Sequence, residues 1–189
     1  VPESSILRHT VSFEEEKVTV RSPRQLIELF DTKPIIVLEE MQKALDTVSR
    51  ATVFRHLAKV SYRRSYNCNG RYYTKHDLTR YDRHGIFSYK GIHFSLDGNL
   101  VATVSRLVFE SSSGQTQREL QELLQVRVQT SLAAMIHDKK LVRAKVAGTF
   151  IYFHPDAKIC TAQMTKRHEM IEDRKFSQLL SREVGLLRK

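Results

Sequence analysis

The chain is poor in cysteine, glycine and proline, and each shortage removes a class of protein. Its two cysteines, Cys68 and Cys160, lie far apart, and neither forms a Cys-x-x-Cys pair or has a second Cys and His at zinc spacing. Two free thiols in a reducing cytoplasm are the simplest reading. Seven Gly and four Pro in 189 residues argue against a disordered or linker-rich chain. No apolar run reaches the eighteen or so residues that a membrane span needs, so no membrane partner is expected. Val1-Pro2-Glu3-Ser4 does not lead from a basic segment into an apolar one, and no secretory signal is expected.

Catalytic signatures are scarce as well. Eight histidines are scattered along the chain, without His-Glu-x-x-His, Gly-x-Ser-x-Gly or a Gly-rich phosphate loop. Asp77, Asp82 and His84 are close enough to suggest a metal nuclease site. Three such residues in a polar connector are usually just solvated. The sequence therefore implies no enzyme and no cofactor.

What is present is a concentrated positive charge. The net charge is +10, and residues 48–90 hold ten Lys or Arg against two acids, so this stretch alone carries +8. No acidic residue falls between Val48 and Lys75, whereas residues 1–47 are net −3. A basic block beside an acidic one points to a polyanion meeting one face. Hydrophobic residues at 41% are enough for real cores, and the length allows two domains.

Residues 1–21 form an N-terminal arm or short strand, with Val11, Phe13, Val18 and Val20 interrupted by Glu14 to Glu16. Ser22-Pro23 starts a helix, Ser as N-cap and Pro at the first helical position, and Leu26, Ile27, Leu29 and Phe30 give it an apolar side. Ile35, Leu38, Met41, Ala44 and Leu45 keep helical spacing, which predicts a second helix from Pro34 or Ile35 to Leu45. Asp46-Thr47-Val48 is a short turn in which Val48 would plug the angle between helices. Ser49 then caps a third helix reaching Lys59, with Ala51, Phe54, Leu57 and Val60 facing the core. Tyr62 to Tyr73 follows as a hairpin, with Asn69-Gly70 as its two-residue type I′ turn. Packing explains at least half of its tyrosines.

Residues 76–95 connect, and the apolar part of 85–94 should pack between the halves. The order then repeats at a separation of roughly 75–80 residues. A helix runs over Asp97 to Glu110, a loop over Ser111 to Gln115, and Thr116-Gln117-Arg118-Glu119 is a capping box. A third helix covers about Val128 to Lys140, and a hairpin turns about Ala147-Gly148 with Arg143 and Lys145 on its first arm. Its helix offers Arg127, Gln129, Thr130, Ser131 and His137, far less charge than the first copy. After a short connector over 156–163, Met164 to Leu187 reads as a basic amphipathic helix.

Residues Ser22 to Thr74 resemble the winged helix-turn-helix superfamily of DNA-binding regulators, and Leu100 to Phe153 resembles a second, less charged copy. The fold class expected is mainly α with small β-hairpins (α+β), as tandem winged helices at 22–75 and 96–155 plus a C-terminal helix within 156–189. The resemblance implies the third helix in the major groove of double-stranded DNA and the hairpin on the flanking backbone. Arg50, Thr52, Arg55 and His56 would then lie near base edges, and Ser49, Lys59, Arg63, Arg64 and Arg71 near phosphates. The role implied is that of a cytoplasmic transcriptional regulator. A homodimer or a protein partner would meet the second copy or the C-terminal helix. Two rival roles remain open: an assembly subunit of a mobile-element, defence or chromosome-handling complex, and an RNA-binding protein stacking bases on the 62–73 tyrosines.

Overall fold

The computed structural model describes residues 21–78 and 80–186. The arm expected over the first twenty residues lies outside the described residues.

Helix α1 (Pro23–Thr32) begins where expected. Ser22 is extended, and its N–H donates to Gln25 Oε1 at 3.0 Å, which satisfies one group that the helix start leaves over. Leu26 and Phe30, a turn apart, are fully buried. The second helix differs from its expected bounds. Ile35–Val37 is a strand, β1, and helix α2 occupies only Leu38–Ala44. Three β-branched residues in succession favour extended backbone. They find a partner in β3 (Tyr72–Lys75), with Ile35, Ile36 and Val37 opposite Thr74, Tyr73 and Tyr72. Helix α3 (Arg50–Leu57) follows the turn, and β2 (Tyr62–Arg64) completes an antiparallel sheet of order β1-β3-β2. Leu26, Phe30, Ile36, Met41, Leu45, Val53, Leu57, Val60 and Tyr73 form one core between helices and sheet. Each fully buried large apolar side chain here contributes about 1.5–3 kcal/mol.

The second half is built in the same order. Helices α4 (Leu100–Glu110), α5 (Gln117–Leu124) and α6 (Gln129–His137) surround a sheet of β6 (Gln115–Thr116), β7 (Val142–Val146) and β8 (Thr149–Phe153), ordered β6-β8-β7. Both halves therefore run helix, strand, helix, helix, strand, strand, with the third strand between the other two. Their main core runs from Val104 and Leu107 through Leu120, Leu124 and Leu132 to Tyr152.

Two details shift from the expected bounds. Helix α4 starts after Asn99, whose side chain accepts from Ala102 N–H at 2.9 Å. Asp97 instead holds Arg106 Nε at 3.0 Å from each carboxylate oxygen. The expected loop over Ser111 to Gln115 ends in β6, and Gly114 lets it. Its φ is +66°, and a Cβ there would stand 2.7 Å from Tyr152 O. The capping box forms: Thr116 Oγ1 accepts from Glu119 N–H at 3.1 Å, and Glu119 Oε2 accepts from Thr116 N–H at 2.6 Å.

Between the halves, β4 (Ile86–Tyr89) and β5 (Ile92–Ser95) form a hairpin about Lys90-Gly91. Arg106 ties it to α4 through a 2.6 Å bond to His84 O. The last helix, α7, spans Ala157–Leu186, so residues 157–163 are helical, not connector. Asp156 Oδ1 caps it, accepting from Lys158 and Ile159 N–H at 2.9 and 3.2 Å. Cys160, Met164 and Ile171 cover Val146, Ile151 and Phe153 on the outer face of the second sheet. The described architecture is thus a mixed α+β fold of two topologically equivalent halves and a long final helix.

Candidate nucleic-acid interface

Ser49 caps α3 as its position predicts, its hydroxyl accepting from Thr52 N–H at 3.3 Å. The turn before it is held from outside. Arg21 donates to Leu45 O at 3.0 Å and to Asp46 O at 2.8 Å, and Gln42 Nε2 donates to Val48 O at 2.7 Å. These bonds satisfy carbonyls at the end of α2 and past it, so they fix the angle between α2 and α3. Val48 does not plug that angle. It is 94% exposed, in a turn where Asp46 takes a positive φ of 45°.

The buried stripe of α3 is also rotated from its expected register. Val53 and Leu57 are fully buried, Phe54 packs at the edge of the core, and Ala51 is exposed. His56, expected near base edges, shares the buried side at 9% exposure. Its Nδ1 is buried without a hydrogen-bond partner. Desolvation lowers its pKa, and the charges of Arg55, Lys59 and Arg21 lower it further, so the surroundings favour the neutral ring. Arg50, Arg55 and Lys59 are exposed, and Thr52 is half-buried. The free face of α3 therefore runs through Ser49, Arg50, Arg55 and Lys59.

The hairpin does not close in a two-residue turn. Tyr62, Arg63 and Arg64 pair with Lys75, Thr74 and Tyr73, and Ser65 N–H still bonds Tyr72 O at 2.9 Å. The loop then spans 66–71, with Cys68, Asn69 and Gly70 all at positive φ. Its length has a cause in the second half. Tyr66 leaves the hairpin, donates its hydroxyl to Leu124 O at 3.0 Å and stacks on His93 with ring centroids 5.9 Å apart. Asn67 bridges to Gly91 O at 2.7 Å and accepts from His93 N–H at 3.0 Å. Burial, with Asp82 nearby, pushes the Tyr66 phenol well above its usual pKa, so it stays a donor. Tyr73 is buried and Tyr62 packs beside it, their rings 6.1 Å apart.

The hairpin arginines differ among themselves. Arg64 is committed to the loop, donating to Gly70 O through Nε at 2.6 Å with its guanidinium over the Tyr73 ring. Arg63 donates to Tyr62 O at 3.0 Å, while its Nε is buried with no partner among the described residues. Arg71 is exposed. Arg50, Arg64 and Arg71 line one cleft of about 220 Å³ between the start of α3 and the hairpin, with Glu39 the acid among its lining residues. This brings together residues from two elements that the sequence assigned separately to bases and phosphates. Lys59, Arg63 and His56 are not part of that cleft.

On the second copy, Arg127, Gln129, Thr130 and His137 are exposed and Ser131 is half-buried. Asp82, a candidate metal ligand in the connector, accepts from His84 and Ile86 N–H through one oxygen at 2.8 and 2.9 Å, which makes it a turn cap. No helix among the described residues is long and apolar enough to cross a membrane. Compared with models of protein families, with curated proteins and with solved structures, the chain finds no match.

Proposed function

We propose that the chain is a double-stranded DNA-binding protein made of tandem winged helices, with α3 in the major groove and the 62–75 hairpin as the wing on the flanking backbone. The observation that carries this reading is the cleft where Arg50 of α3 faces Arg64 and Arg71 of the hairpin. Three guanidiniums from two elements with one carboxylate among them suit a polyanion that passes from helix to wing. The helix–turn–helix order, the Ser49 cap and the externally braced turn support the same placement. The role that follows is site-specific transcriptional regulation in the cytoplasm, on the nucleoid if the source is prokaryotic. It acts by occupying a site or by recruiting a partner.

Selection of bound duplexes from a random pool tests this. An enriched consensus whose affinity falls steeply with salt supports the regulator, and a palindromic one adds a homodimer. No enrichment sinks it. A second reading, an assembly subunit, is favoured by the end of α7, where Phe176 is 65% and Leu179 58% exposed. Such side chains suit a protein partner or a second copy. DNA binding only in the presence of a partner would favour the subunit.

A further inference from the structure

We infer that the second hairpin is a stacking site for an unpaired nucleotide, and that the preferred ligand is a duplex with a single-stranded flank. The duplex half of this statement rests on the function proposed above, while the stacking half stands on its own residues.

The register of β7 and β8 sorts their side chains onto two faces. Ala144, Val146, Ile151 and Phe153 turn to α7. Arg143 and Lys145 lie opposite Tyr152 and Phe150 on the other face. Tyr152 is buried in the helical core, but Phe150, two residues nearer the turn, is 49% exposed. A ring left half in water adds little to the core. Two cations sit over it: the Arg143 guanidinium 4.5 Å and the Lys145 ammonium 6.0 Å from its centroid.

A cleft of about 790 Å³ opens beside this ring, with Arg118, Arg143, Arg174, Phe150 and Tyr152 among its lining. Its two carboxylates are already engaged. Glu119 is held by Arg167 at 2.9 Å and Glu122 by Arg118 at 2.7 Å. Arg143, Lys145 and Arg174 have no carboxylate partner among the described residues. The volume falls in the range of small-ligand clefts, and a base stacking on Phe150 would take the place of the Arg143 guanidinium over the ring and leave that cation for its phosphate.

Duplex DNA is the poorer fit for this face. A paired base has both sides covered by its neighbours and offers no ring for Phe150. Helix α6, which would enter a groove, holds no Lys or Arg from Gln129 to His137. The Tyr66–Leu124 bond holds the loop of the first hairpin against the second half, and Asn67 holds it to the β4–β5 hairpin, so both surfaces belong to one packed body.

The test uses the full chain with a duplex carrying the selected site, blunt or extended by an oligothymidine tail at either end, with 2-aminopurine at the first unpaired position. Anisotropy should show the tailed duplex bound about tenfold tighter, with 2-aminopurine fluorescence quenched on binding. Phe150→Leu should remove most of that gain and the quench while leaving blunt-duplex affinity unchanged. A tail that adds no affinity, or a gain that survives Phe150→Leu, overturns the stacking site whether or not the blunt duplex binds. Binding of the tail by the protein with no affinity for blunt duplex keeps the stacking site and removes the duplex reading. Binding to neither removes both.

Discussion

Arg167 of α7 meets the carboxylate of Glu119 at the start of α5 fork to fork, Nη1 to Oε1 at 3.0 Å and Nη2 to Oε2 at 2.9 Å. The same guanidinium donates to Ser113 O and Gly114 O, each at 2.9 Å, with the residue 8% exposed. One side chain thus holds a helix start and a glycine turn against the final helix. Gln163, four residues earlier, does similar work, donating to Val108 O and Ser111 O and accepting from His154 N–H.

Arg167→Ala should cost roughly 2–4 kcal/mol, below the full cost of breaking a buried pair because Glu119 keeps 40% side-chain exposure. Two buried carbonyls would also lose their donor. Urea unfolding read by circular dichroism checks this. A midpoint unchanged from the parent chain would show that α7 is not anchored through this residue.

The same pair sets an acid limit. Burial alone would raise the Glu119 pKa, but the Arg167 hydrogen bonds, the Thr116 N–H and the Arg167 charge together hold it below its ordinary 4.5. A carboxyl with a lowered folded pKa contributes stability above its unfolded pKa and loses it as pH falls through the folded one. Stability should therefore drop as pH falls below about 4.5, and Glu119→Gln should flatten that drop. Thermal unfolding from pH 6 down to pH 3, as a rough span, measures both slopes. Parallel slopes in the two proteins would remove Glu119 from the account.

His56 makes the opposite point about the proposed DNA face. Its ring lies on the buried side of α3, so His56→Leu should leave the base preference of a selected duplex unchanged and its affinity within about twofold. It should raise stability by about 1 kcal/mol, because an unpartnered buried polar atom is removed. Its lowered pKa means protonation opposes folding: stability holds above the ordinary 6.5 and falls as pH drops through the folded value. The leucine variant should lose that fall below the ordinary 6.5. Altered base preference in the variant would return His56 to the interface.

The contrast between Arg167 and His56 shows which parts of the structure were legible in the sequence. The repeat of helices and hairpins was, because caps, apolar spacing and turns are local signals. Ile35–Val37 fitted helical spacing equally well, and only pairing with residues 72–74 makes it a strand. Helix α3 has eight residues, short enough for two apolar stripes to compete. Val53 won over Ala51, which carried His56 inward. The turn at Asn69-Gly70 was overridden by Tyr66, whose partner Leu124 lies 58 residues away. Arg21 and Arg167 carry no local signal of their roles, since nothing near them in sequence names the carbonyls they reach.

Arg55 and Arg71 separate base reading from backbone contact within the proposed interface. Arg55 is exposed on the free face of α3, and Arg71 lines the cleft beside Arg50. If Arg55 reads a base bidentately, Arg55→Ala should cost about 1–3 kcal/mol on the selected site and much less on random duplex. Arg71→Ala should weaken both duplexes alike and lower the salt slope by about one. The difference follows from geometry: a base edge is read by a pair of directed hydrogen bonds, whereas a phosphate is held mainly by charge and releases counterions when neutralised. Anisotropy titrations of both variants at several salt concentrations measure the four quantities together. Equal losses on specific and random DNA for Arg55→Ala would make it a phosphate contact, and an unchanged salt slope for Arg71→Ala would take the wing off the backbone.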